Sequence, residues 1–192
     1  MANQGTLSRL RWQNRAMSDV QSEDMGPWLS AEELQFIRAK VPMLYVDVVP
    51  VRMDEYGDLE WVGLLLSVND DGVSRSLVSG RVLYHESIRD AVMRHIDKDL
   101  GPMALPQLPT SIVPFTVGEY FPTPGDGWFD SRQHAVSLAY IVPMAGDCDP
   151  SNDTLELTWF TPGEAQTAEL QAEMTPSQAA LLRRALAFLG YV

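Results

Sequence analysis

Two rhythms of apolar residues divide this chain. In "MLYVDVVPVRM", "EWVGLLLSV", "SRSLVSG", "SIVPFTVGEYF", "HAVSLAYIVPM" and "TLELTWF", β-branched and aromatic residues alternate with polar ones or run together briefly, which predicts strands. The first two are separated by "DEYGD", a hairpin-like turn in which Gly57 can take a positive φ. Elsewhere apolar residues return every third or fourth position. In "WLSAEELQFIRAKVP", Ser30 and Glu33 form an S-x-x-E capping box, Leu34 and Ile37 follow at helical spacing, and Pro42 stops the helix. "TPGEAQTAELQAEM" leaves room for two or three helical turns after Pro162. The last helix has Thr175 as N-cap, Pro176 at its first position, Gln178 closing a capping box and Gly190 as its stop. Its stripe of Ala179, Leu182, Ala185, Leu186 and Leu189 suits a core or a dimer interface. Residues 1–27 lack a steady period, which predicts a mobile arm with room for one helical turn around "LSRLRW". One folded domain is expected over residues 28–192. Strands, a central helix, more strands and a terminal helix predict an α/β (α+β) fold, a mixed β-sheet sandwiched between helices.

Charge narrows the choice of partner. A formal charge of −12 argues against nucleic acid and anionic membrane, whose binding needs clustered Lys and Arg. A small phosphorylated ligand held by a few arginines remains open. Cys148 is the only cysteine, so neither an intramolecular disulfide nor a cysteine-based zinc cluster can form. The N-terminus has basic residues but no apolar signal core, and no apolar run approaches the ~20 residues needed to cross a bilayer. A cytoplasmic location is the expectation.

The densest chemistry lies in "SGRVLYHESIRDAVMRHIDKDLG", Ser79 to Gly101. A glycine turn leads into a helix expected from Glu86 or Ser87 to about Leu100, with Ile88, Ala91, Val92 and Ile96 on its sheet-facing side. This stretch resembles the Nudix box: glycine, five residues, glutamate, seven residues, then R-E-U-x-E-E-x-G-U, where U is aliphatic. Gly80, Glu86, Arg94, Ile96 and Gly101 stand in place, and Asp99 takes the last glutamate position as a shorter carboxylate. His95 and Lys98 occupy the other two glutamate positions, Pro102 the final aliphatic one, and Ser79 replaces the first glycine of the usual pair. Over about residues 28–165 the chain is most similar to the GDP-mannose mannosyl hydrolase branch of the Nudix superfamily, which also reads G-R-V after the turn and also lacks two box glutamates.

The resemblance implies a Nudix fold and metal-assisted hydrolysis by water of a nucleoside diphosphate-linked substrate such as a nucleotide sugar. It makes Asp99 the candidate ligand of Mg2+ or Mn2+, with Asp153 near a second ligand position and Glu119 where that branch carries a histidine. It makes Arg81 a diphosphate contact, and Arg75 on the other flank of the turn could share that grip. Lys98 could meet a phosphate directly as a point charge, in place of the metal. His95 and His134 are alternative general bases, each weighed against a partly buried packing role. Gly80 is expected to supply a positive φ, and Glu86 with Arg94 to form a structural pair. Tyr120, Trp128 and Phe129 could stack on a base or close their loop over the core. The rival function is a noncatalytic Nudix-fold protein binding a nucleotide-like ligand or a partner protein. The apolar last helix leaves room for a homodimer.

Overall fold

A computed structural model of the chain describes residues 28–69, 72–125, 128–150 and 154–191. The expected arm and Asp153 therefore lie outside the described residues. The first helix, α1 (Ala31–Arg38), begins at Ser30, whose hydroxyl accepts the Glu33 N–H while the Glu33 carboxylate accepts the Ser30 N–H, the reciprocal cap the sequence predicts. Four strands follow: β1 (Met43–Met53), β2 (Leu59–Asn69), β3 (Gly72–Ser76) and β4 (Val78–Arg81). Gly57 turns the first hairpin with φ 85°.

The stretch expected as one strand, "SRSLVSG", is two. It breaks at buried Leu77, so β3 pairs with β2 and β4 pairs with β1. Then come α2 (Ile88–Leu100), β5 (Thr116–Phe121), β6 (Trp128–Phe129), β7 (Ala135–Pro143) and β8 (Thr154–Phe160). The chain ends in α3 (Pro162–Ala165), α4 (Ala168–Ala172) and α5 (Pro176–Phe188). The sequence leaves α3 and α4 as one element; Thr167 separates them by capping the second, its hydroxyl accepting the Leu170 N–H.

The strands form one mixed sheet in the order β3-β2-β1-β7-β5-β6, with β4 beside β1 and β8 beside β2. Strand β1 runs parallel to β7 over residues 43–51. Its other edge is shared: residues 45–48 pair with β4, residues 51–53 with β2. Val46 and Val48 face α2, packing with Ala91, Val92, Ile96 and Leu100. Val49 and Val51 belong to a second cluster, with Leu181, Leu182, Ala185 and Leu186 of α5. The stripe on α5 is thus core of this chain. Each of these fully buried branched side chains contributes about 1.5–3 kcal/mol relative to exposure. One consequence positions everything below: β4 is four residues long and has its only described sheet partner in β1, so its outer edge lies between the two faces.

Candidate active site

On the α2 face, the turn between β4 and α2 is held by one ion pair. Arg94 Nε donates to Glu86 Oε1 at 2.6 Å and Arg94 Nη2 to Glu86 Oε2 at 2.8 Å. The same carboxylate accepts the Leu83 N–H at 2.8 Å, and Arg94 Nη2 also reaches the Arg81 carbonyl at 2.9 Å. Arg94 thereby holds the Glu86 carboxyl below its ordinary pKa. The pair is structural, as expected. Helix α2 starts at Ser87, which accepts the Asp90 N–H, and stops at Gly101, whose φ of 83° is open chiefly to glycine.

His95 is 7% exposed, and its ring lies on the backbone of Gly80. A Cβ at position 80 would fall inside that ring. The expectation of a positive φ at Gly80 is therefore corrected: Gly80 is an ordinary strand residue paired with Val46, absent from the positive-φ glycines, and its missing side chain makes room for the imidazole. Nε2 of His95 stands 3.1 Å from the Arg81 carbonyl, which can only accept, so Nε2 carries the proton. Nδ1 is buried without a partner. Burial, assisted by the Arg94 charge, holds the imidazole below its ordinary pKa despite the Arg81 bond. With Nδ1 shut from water and Nε2 engaged by the Arg81 carbonyl, the ring fits the packing role better than the base.

Asp99 and Lys98 meet at the other end of α2. The Asp99 side chain is only 14% exposed, Lys98 is 71% exposed, and its ammonium stands 3.6 Å from Asp99 Oδ1. Burial pushes the Asp99 carboxyl up, and Lys98 only partly offsets this. Glu119 is exposed on β5; it pairs with Val136, in alternation with Leu138, which packs toward α2. Glu119 thus shares the α2 face of the sheet. Among the described residues no three of His, Cys, Asp and Glu stand close enough to hold a metal ion. With one box carboxylate facing an ammonium, the described residues do not fit a preformed divalent-metal centre.

The remaining candidates are scattered. Arg75 Nε donates to Glu173 at 2.7 Å, Nη1 to Thr158 at 3.1 Å, and the guanidinium lies over Phe160. These bonds tie β3 to β8 and the segment after α4, so the Arg75 guanidinium is engaged within the fold. His134 stacks on Phe121 with ring centroids 4.8 Å apart, its Nε2 buried without a partner.

On the opposite face of the sheet, Tyr120 and Phe129, candidates for stacking on a base, stand beside residues the sequence did not single out. A cavity of about 310 Å3, within the range of small-molecule sites, is walled by Tyr45, Tyr120 and Phe129. Thr175, Ser177 and Gln178 at the start of α5 close its far side. At its floor lies Asp47, 3% exposed, which accepts Ser137 Oγ at 2.6 Å and Tyr120 OH at 3.4 Å, both on Oδ2. Ser79, its partner across β4, also bonds this carboxyl. Burial raises the Asp47 pKa, more than these hydroxyls lower it. At the rim, Asp130 accepts two bonds of 2.9 Å from Arg132 and one of 3.0 Å from Gln133, which in turn joins Tyr45 and Arg38. The signal for Asp47 was available: a lone acid in "LYVDVVPV", on a strand with both faces buried.

Strand β4 joins cavity and box. Gly80 faces His95, while Ser79 enters the cavity; Arg81 alternates onto the cavity face opposite Tyr45. Solved structures share the overall fold. A possible asymmetric diadenosine tetraphosphate hydrolase from Jonesia denitrificans is 58% identical to this chain, over 79% of it and 96% of that protein, with a TM-score of 0.76. A NUDIX hydrolase from Nitrosomonas europaea is 15% identical over 79% of this chain and 93% of its own, TM-score 0.57. The NUDIX domain of Shewanella oneidensis NrtR, solved with ADP ribose, is 20% identical over 78% and 90%, TM-score 0.52. No curated protein matches the chain. The architecture is the Nudix fold. Residues 24–191 match the family described as a domain of unknown function, DUF4916, and the chain belongs to that family.

Proposed function

We propose that this protein is a Nudix-type hydrolase that cleaves a nucleoside di- or polyphosphate linkage with water. One observation carries the reading: a cavity of nucleobase scale and an Arg94–Glu86-braced box turn lie on opposite faces of β4, whose outer edge has no described strand partner. A substrate with its base in the cavity can run its phosphates past Arg81 and across that edge toward Lys98 and Asp99. Arg81 and exposed Lys98 supply positive charge for the phosphates. Asp99 supplies the one box carboxylate. A divalent cation, Mg2+ or Mn2+, enters this proposal only as an ion brought by the substrate's phosphates, which Asp99, with Glu119 or Asp153, would help to hold. No step here depends on it.

Two linkages are open to this reading. The mannosyl hydrolase resemblance favours a nucleotide sugar; the 58% identical Jonesia protein, a possible diadenosine tetraphosphate hydrolase, favours a dinucleoside polyphosphate. The second has the stronger support because that likeness covers nearly the whole domain. Incubation with Mg2+ or Mn2+ and both substrate classes, followed by chromatography of the products, decides between them. Mononucleotide products from the dinucleotide, lost in Asp99→Asn, support the proposal; release of free sugar favours the other linkage. Tight binding without turnover of either supports a noncatalytic ligand-binding protein, a reading favoured by the ammonium 3.6 Å from Asp99.

A further inference from the structure

The floor of the cavity is built around a carboxyl in an unusual setting. Asp47 is almost wholly enclosed, and none of the ion pairs among the described residues includes it. Its partners are hydroxyls, from Ser79, Ser137 and Tyr120. The charged and titratable groups around it compensate little, His95 being the last of the influences that favour its charge. Arg132 is engaged with Asp130 at the rim, and Arg184 of α5 lies over Trp128. His95 is neutral on the far side of β4; Tyr45 and Tyr120 are phenols, the second pushed well up by burial. An isolated buried carboxylate is costly, so such a group takes a proton instead. A protonated carboxyl has one O–H donor and one carbonyl acceptor side by side. With Ser137 and Tyr120 both donating to Oδ2, that oxygen is the carbonyl and Oδ1 carries the proton.

We propose that Asp47 acts as a neutral carboxylic acid that reads the ligand ring, pairing with an edge that sets a ring-nitrogen acceptor beside an exocyclic amine, as adenine does. The acid O–H donates to the ring nitrogen, and the amine takes the place of the long 3.4 Å Tyr120 bond on the carbonyl oxygen, whose other lone pair stays with Ser137; Tyr45, Tyr120 and Phe129 flank the ring. Asp47 is thus a specificity-determining residue for the site proposed above, and this inference rests on that reading. An ionised Asp47 would instead turn a second lone pair toward the ring nitrogen and repel it.

Calorimetric titration of adenosine into the full chain and into Asp47→Asn and Asp47→Leu tests this, with thermal melts confirming that each variant folds. Asparagine keeps a donor beside an acceptor but has no charge to gain. The expected result is adenosine affinity within about threefold of the parent for Asp47→Asn and a loss of at least about tenfold for Asp47→Leu. Any change in the parent between pH 6 and 8.5 is expected to be a loss as pH rises, absent from Asp47→Asn. A tenfold loss in Asp47→Asn, full affinity in Asp47→Leu, a gain with rising pH, or no adenosine binding by the parent overturns the proposal. Turnover without these effects leaves the hydrolase standing and removes Asp47 from recognition; adenosine bound in this way without turnover does the reverse.

Discussion

Gly80 and His95 are separated by fifteen positions yet occupy a shared space: one has no side chain so that the other can lie flat. Overpacking of this kind costs about 1–3 kcal/mol, so Gly80→Ala should lower stability by that amount in urea unfolding. The loss should shrink when His95→Ala is combined with it, because the clash goes with the ring; additive losses would refute the packing account. The same burial gives His95 a signed pH effect. Its folded pKa lies below the ordinary 6.5, so between the two values the unfolded chain binds a proton that the native protein refuses. Its contribution is present above 6.5 and is lost as pH falls toward the folded value. The stability difference between the parent and His95→Gln should therefore narrow from pH 7.5 to 5.5; a constant difference would contradict a neutral, buried imidazole. The sequence located both residues but misread the glycine, because a pattern scan recognises glycine as a turn former and has no signal for a ring arriving from a helix. Asp47 was passed over for the opposite reason: its strand looked wholly apolar, and hydroxyl partners on β4, β5 and β7 converge on it only in three dimensions.

At the scale of elements, most of the frame was legible. The cap at Ser30, the Gly57 hairpin, the span of α2 and its stop at Gly101 all follow from local chemistry, and local chemistry is visible in a sequence. The break between β3 and β4 was not, since Leu77 continues an apolar run and only competition between β1 and β2 for partners splits it. The split matters to the site, because it gives β4 its outer edge. The Glu86–Arg94 pair then fixes the turn that follows. Glu86→Gln keeps the shape but removes the charge from a carboxylate 12% exposed, and is expected to cost about 1–3 kcal/mol. Because Arg94 depresses Glu86, its contribution is present above the ordinary carboxylate pKa and lost as pH falls below it. Urea unfolding at pH 7 and pH 3 should therefore show a smaller penalty for Glu86→Gln in acid; an equal penalty at both would mean the pair contributes no charge-dependent stability.

In the whole molecule one four-residue strand, β4, separates the cavity from the box. The expected sandwich of helices about a mixed sheet is present, and the resemblance carried by the box is matched by the fold. The metal ligands were less legible: Asp99 and Glu119 share the α2 face, Asp153 lies outside the described residues, and among the described residues no three of His, Cys, Asp and Glu gather to hold an ion. Spacing along a helix places a carboxylate on a face, and only the fold can say what stands opposite. Within the described residues no helix is long and apolar enough to cross a membrane. The family match begins at residue 24, so removing residues 1–23 should leave the unfolding midpoint within a few degrees, measured by calorimetry. A large fall would show that the segment belongs to the folded unit. The central claim is hydrolysis, and it meets its most direct test in timed reactions with diadenosine tetraphosphate and Mg2+, comparing the parent with Asp99→Asn. The account predicts two mononucleotide products from the parent and a rate at least about 100-fold lower for the variant, the scale of loss for a group acting in proton transfer or transition-state stabilisation. Intact substrate under the parent, or equal rates for both proteins, would contradict it.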